Sequence, residues 1–362
     1  MLSKRLQSLD FLRGFIMVLL ALESAGLYSI MSHNSEGSWF HNIAVQFHHH
    51  QWNGLHFWDL IQPGFMFIAG TAMAYSIHSQ QQKGIPWSQS FRKALKRSGW
   101  LFFWGVLNYA VRKSGLSFEL WNVLTQLSFT MLVAFLIYRF SYSTQIAISI
   151  GILLLTEILY RFTHVPGFDQ PFTDQQNFGN YVDLLLMNKI NRGGWVAINC
   201  LPTAVHTIAG ALAGKLLLSN DTRKVSRLVL WGIIMLAAGF ALDWLHITPI
   251  IKKIATTSFT LASLGWCLLA LAFCYWWIDI KNHRKHLFFF TVVGMNSIFI
   301  YLFFEIVGDR WFNDYAGAVT NGLMSMAHFP PLLMDLVTCF TIFGLEWGLC
   351  YFLYKKKIFF RL

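Results

Sequence analysis

His41, His48, His49, His50 and His56 crowd into one stretch, interleaved with Trp39, Trp52, Asn53 and Trp58. An imidazole titrates near neutral pH, so one of these residues is suited to take or give a proton in catalysis. A histidine run can also hold a divalent ion. Successive positions converge poorly on one ion, however, and no Asp, Glu or Cys stands at ligand spacing, so no metal is expected. Asp59 follows in WNGLHFWDLIQP. A carboxylate there can cap a helix, and one beside a histidine fixes its tautomer and raises its basicity. The two roles can coincide. Glu23 interrupts the apolar run FIMVLLALESAGLY. An ionisable group inside a span costs a few kcal/mol or more, so it marks a site or a buried partner. Asp10 and Arg13, three residues apart, share one helix face; they form either a structural ion pair or an anion-facing arginine. His206 reads as a satisfied buried histidine. Asn199, Thr203, Thr207, Asn296, Ser297 and Glu305 also fall in apolar runs, where such groups commonly join helices.

The elements that must position these residues follow from composition. Of 362 residues, 55% are hydrophobic, 17% aromatic and only 12% charged, against about 25% charged in a soluble domain. That pattern excludes disorder, a disulfide scaffold and an ordinary cytosolic enzyme. The expected fold is all-α, a polytopic membrane bundle. Ten segments reach or approach the ~20 residues that cross a bilayer: 11–31, 58–78, 98–112, 119–138, 145–163, 195–218, 227–245, 257–278, 286–307 and 331–354. The first is long and lacks a small-residue cleavage site, so it reads as a span rather than a signal peptide. Cys200, Cys267, Cys274, Cys339 and Cys350 all lie in apolar runs and read as packing residues.

Placing the amino terminus inside puts 20 of the 28 Lys and Arg residues on the inner side and 8 on the outer. The positive-inside rule then sets both termini in the cytoplasm. The charge of +11 is dispersed among short loops, with no basic face to follow a phosphate backbone, so nucleic acid is excluded. Three outer connections, 32–57, 164–194 and 308–330, are long and rich in polar and aromatic residues, which places the working face outside.

Several stretches carry a resemblance. RLQSLDFLRGFIMVLLALE at 5–23 and HHQWNGLHFWDLIQPGFMFIAGTAM at 49–73 resemble the heparan-α-glucosaminide N-acetyltransferase family, polytopic transmembrane acyltransferases whose bacterial members lack the eukaryotic luminal part. The family pattern is met by His49, Trp52, Asn53, Gly54, Asp59, Pro63, Phe67 and Gly70. ALAGKLL (212–218), PIIKKIATTSFTLASLG (249–265), GMNSIFIY (294–301) and YKKKIFF (354–360) extend the likeness, so residues 1–362 read as one acyltransferase domain. By this resemblance His49 is similar to the family's catalytic histidine, which composition alone does not separate from His48 or His50. Asp59 matches the helix-opening Asp and Arg13 the arginine of LDxxRG. The departures concern the acceptor side: a longer loop before His49, Glu23-Ser24 where the eukaryotic enzymes have Asn, and INRGGWVAINCLPT in place of an Asp-Pro-Glu-Gly approach to the sixth span.

What the resemblance implies is acetyl transfer from cytoplasmic acetyl-CoA to the amine of a glucosamine-type sugar or glycan at the outer face of a bacterial inner membrane. His49 would act as base and Asp59 as its partner. Trp52, Asn53, Asn296 and Glu23 would face the acceptor, and Arg13, Lys215 and Ser297 the CoA. The partners so implied are acetyl-CoA, the acceptor and the lipid bilayer, with a homodimer allowed. Two other readings compete: O-acetylation of an envelope polysaccharide, and small-molecule transport, for which Glu23 is a midplane charge but no paired repeat appears.

Overall fold

The computed structural model describes residues 6–112 and 115–360. Lys4, Arg5, Lys113 and Arg361, which enter the charge asymmetry above, lie outside the described residues. The first half of the chain forms α1 (Gln7–Ser24), α2 (Leu27–Asn34), the single turn α3 (His41–Ala44), α4 (Ile61–Gln82), α5 (Trp87–Ala110), α6 (Val123–Ile137) and α7 (Tyr142–Phe162). The second half forms α8 (Phe178–Met187), α9 (Cys200–Leu218), α10 (Lys224–Trp244), α11 (Thr257–Cys274), α12 (Leu287–Gly294), α13 (Ser297–Phe303), α14 (Asn313–Met326) and α15 (Pro331–Lys355). A two-residue antiparallel hairpin, Val111–Arg112 with Gly115–Leu116, links α5 to the approach to α6.

This is a helical membrane protein. Six helices among the described residues are long and apolar enough to cross a bilayer, or eight if two bent pairs each count as one span. Ten were expected. The two remaining segments are α5, whose first half carries Arg92, Lys93, Lys96 and Arg97, and α6, which has only 15 residues. The bends are a second difference. The expected span 11–31 breaks by 62° between α1 and α2, where Gly26 takes a left-handed backbone, φ 86°, that an L side chain resists. The expected span 286–307 breaks by 73° between α12 and α13. There Asn296 leaves the helix to bond the backbone of Ile358 and Phe360. Beyond it the helix runs from α13 through a π-helical Phe304–Phe312 into α14, so 308–330 is largely helix rather than an open connection.

The centre of the bundle is the α4–α9 pair. A Cβ on Gly70 would meet the Thr207 carbonyl oxygen at 2.0 Å, and one on Gly210 the Phe67 carbonyl oxygen at 2.0 Å. Small residues let the two backbones touch, the packing device available where lipid offers no hydrophobic drive between helices. Met17, Met66, Phe67 and Ile208 fill the surrounding core. At the periphery α7 and α10 leave Leu154, Ile158, Leu230 and Ile233 exposed, as the lipid-facing side of a bundle requires.

Candidate active site

Asp59 sits in a short 3₁₀ turn, Phe57–Leu60, that leads into α4, and is 1% exposed. One carboxylate oxygen, Oδ2, accepts the backbone N–H groups of His56 at 2.9 Å and His50 at 3.3 Å. The other, Oδ1, lies 3.0 Å from His49 Nδ1. A single carboxylate therefore caps the turn and orients the imidazole. Lys252 completes the group: its Nζ is 3.0 Å from His49 Nδ1 and 3.6 Å from Asp59 Oδ1, and the residue is 6% exposed. The Lys252 segment is locked to the histidine loop by the Gly54 N–H, which donates to the Ile250 carbonyl at 2.8 Å. Trp195 closes over the group, its ring 5.5 Å from that of His49 and 5.2 Å from the Lys252 nitrogen.

Charge and burial set the proton affinities. Desolvation, followed by the Lys252 ammonium, holds the His49 imidazole below its ordinary value, against the pull of Asp59. Burial pushes Lys252 down to about 8, with Asp59 and Glu23 opposing. A neutral His49 with Nδ1–H on Asp59 presents Nε2 as a free base.

His49 lines a cavity of about 330 Å³ together with Glu23, Trp58, Trp121, Trp195, Tyr301 and Glu305. The Trp58 indole N–H donates to Glu23 Oε1 at 3.0 Å, tying α1 to the turn that carries Asp59. Buried Asp183 of α8 positions another wall, accepting the Trp121 indole N–H at 2.8 Å and the Ala197 N–H at 2.9 Å. A second cavity, about 580 Å³, contains Arg13, Arg97 and Ser297. The same faces of four helices line both. In α1 they are Ile16, then Leu20 and Glu23; in α4, Ala69 and Ala72, then Ile61 and Gln62. In α6 they are Leu127, then Val123; in α13, Ser297 and Ile298, then Tyr301. Phe65 lines both cavities and stands at their junction. The Arg13 cavity adjoins two more with basic walls, one of about 650 Å³ with Lys93, Lys96 and Arg97, the other of about 740 Å³ with Arg284, Lys355 and Lys357.

The structure thus gathers His49, Asp59 and Glu23 at one end and Arg13 with Ser297 at the other. Arg13 also lies 3.9 Å from Asp10, so the ion pair and the cavity wall are the same residue. Of the three successive histidines, His49 alone lines the cavity. The His48 ring bonds the Tyr28 carbonyl and the Ser32 hydroxyl, and the His50 ring packs on His56. Four expected site residues stand elsewhere. Trp52 donates its indole N–H to the Phe172 carbonyl at 2.7 Å, and Asn53 is exposed away from the cavity wall. Asn296 clamps the carboxy-terminal segment, at the end of α13 remote from Tyr301 and Glu305. Lys215 donates to the Tyr138 carbonyl at 2.5 Å over the Tyr138 ring. Lys252, Trp195, Arg97 and Phe65 escaped the sequence reading. Lys252 lies in the PIIKKIATTSFTLASLG stretch that shares the family likeness, but nothing local places it beside a histidine 203 positions earlier.

The profile described as heparan-alpha-glucosaminide N-acetyltransferase, catalytic, matches residues 5–228, well over half the chain. The chain belongs to this family. No curated protein matches it. The matched region holds His49, Asp59, Glu23, Arg13, Phe65, Arg97 and Trp195, whereas Lys252 and the α13 wall lie beyond it. Family membership brings transmembrane acetyltransferase activity, and the residues around His49 have the chemistry for it.

Proposed function

We propose that the protein transfers the acetyl group of acetyl-CoA to the amino group of a glucosamine-type sugar, with the donor entering from the cytoplasm and the acceptor from the outer face. The observation that carries this reading is the His49–Asp59 pair at one end of two cavities lined by the same four helix faces. The far end fits the donor. Arg13 and Arg97 face one cavity with apolar walls above them, which suits phosphates followed by a slender pantetheine arm. The sidedness rests on the 20-to-8 distribution of basic residues.

In the reaction the sugar ammonium first loses one proton to water. The neutral nitrogen attacks the thioester carbonyl carbon, and the carbon–sulfur bond breaks. The remaining excess proton on nitrogen passes to His49 Nε2 and from there to the departing thiolate, leaving an amide and free CoA thiol. Asp59 keeps Nδ1–H in place, and proton removal by His49 contributes on the order of 10²–10⁴-fold. Lys252 disfavours a long-lived imidazolium, which hastens delivery of the proton to sulfur.

The test is purified protein in detergent with labelled acetyl-CoA and a panel of amino sugars and hydroxyl-only glycans. Amide product from the amino sugars is the expected result. Ester product from the hydroxyl-only glycans alone would move the assignment to O-acetylation. Absence of any acetylated product with bound acetyl-CoA would end it.

A further inference from the structure

We propose that the His49 cavity takes a cationic amino sugar free of sulfate or carboxylate next to the reacting amine, a class unlike the acidic glycan in the family's name. The inference rests on the reading above and narrows its acceptor. Three carboxylates, Glu23, Glu119 and Glu305, line this cavity with His49 and Lys252. Lys189 neutralises Glu119 at 3.1 Å. Lys252 faces Asp59 and His49. Among the described residues no Lys or Arg stands within ion-pair distance of Glu23 or Glu305.

Their surroundings are donors of neutral kind. Trp58 holds one Glu23 oxygen at 3.0 Å, and Asn108 and Tyr109 reach Glu305 Oε2 at 3.5 Å each. With no cation in contact, a carboxylate in a membrane protein has its desolvation only partly offset, for Glu23 by the field of Lys252 across the cavity. An ammonium entering the cavity supplies a countercharge in contact. A sulfate or uronate group would instead meet two like charges, and a like-charge contact works against the wrong partner. The remaining wall is aromatic, with Trp58, Trp121, Trp195, Tyr109 and Tyr301, the mix of apolar surface and a few aimed polar groups that small-molecule sites use.

The experiment compares short glucosamine oligomers with de-N-sulfated heparin oligosaccharides, which carry the same free amine among acidic groups. Binding is read from quenching of the cavity tryptophans, and turnover from acetyl transfer. Wild type is expected to favour the glucosamine oligomers roughly tenfold or more, the scale of one partly buried ion pair. Glu305→Gln should weaken that binding several-fold and narrow the gap between the two acceptors, with the KM for acetyl-CoA unchanged. Glu305→Asp should recover part of the loss. Equal affinity for both acceptors, or a Glu305→Gln variant that binds glucosamine oligomers like wild type, would overturn the inference. Preferential binding of the cationic oligomer without transfer would leave the charge assignment standing and remove the acetyltransferase reading instead.

Discussion

Lys252 follows His49 by 203 positions, yet its ammonium lies 3.0 Å from the imidazole. At this scale the chemistry is decided by which charge stands beside which ring. Burial and then Lys252 depress the His49 proton affinity, so the neutral base persists to lower pH than an ordinary histidine. Because the ammonium disfavours the imidazolium, Lys252→Gln is expected to raise the His49 value, and the acid limb of the kcat/KM profile should move to higher pH. A profile with an unmoved acid limb would assign Lys252 to packing alone. Lys252→Arg should restore the wild-type limb if charge is what matters. His49→Ala should lower acetyl transfer by about 10²–10⁴-fold while CoA binding survives, whereas His48→Ala and His50→Ala retain most turnover, as measured with saturating acetyl-CoA and glucosamine. Comparable losses in all three variants would refute the assignment. The likeness of His-x-x-Trp-Asn-Gly to the family pattern selects His49, and the structure shows how its neighbours differ: the His48 ring bonds Tyr28 and Ser32, and the His50 ring packs on His56.

Among the elements, α4 carries the most. The 3₁₀ turn that leads into it holds Asp59, its second turn supplies Phe65 to both cavities, and its Gly70 admits α9. Phe65→Trp is expected to narrow the passage between the cavities and lower kcat/KM for acetyl-CoA by roughly tenfold, while nucleotide binding at the Arg13 end is kept. This follows from the cost of overfilling a packed space, about 1–3 kcal/mol. Wild-type kinetics in that variant would place the donor path elsewhere. Gly70→Leu should destabilise the protein by at least ~1–3 kcal/mol, because its first added atom already falls 2.0 Å from the Thr207 oxygen; thermal unfolding in detergent reads this directly. Periodicity and hydropathy could find α4, α9, α11 and α15, whose apolar runs are long. They could not find the breaks after α1 and before α13. A bend needs a reason outside the run, such as the Asn296 bonds to Ile358 and Phe360.

For the whole molecule, the arrangement across the bilayer is the quantity to measure. Four of the five native cysteines are buried; in a Cys200→Ser background, Asn53→Cys, in the exposed part of the His49 loop, should react with an impermeant thiol reagent added outside intact cells. Lys93→Cys should react only after permeabilisation. Labelling of Lys93→Cys from outside would reverse the orientation. Composition, 55% hydrophobic and 12% charged residues, together with apolar runs of about 20 residues, pointed to a helical membrane protein. The family resemblance singled out His49 and Asp59, and the loop of nine intervening residues brings the two side chains to 3.0 Å. Only the tertiary structure decided that Lys252 joins them, that Trp52, Asn53, Asn296 and Lys215 stand off the cavity walls, and that one set of helix faces runs from Arg13 to His49. Each of those facts is a contact between segments far apart in the chain. Such contacts depend on the closeness that glycine pairs allow and on where helices break, which no local run of residues specifies.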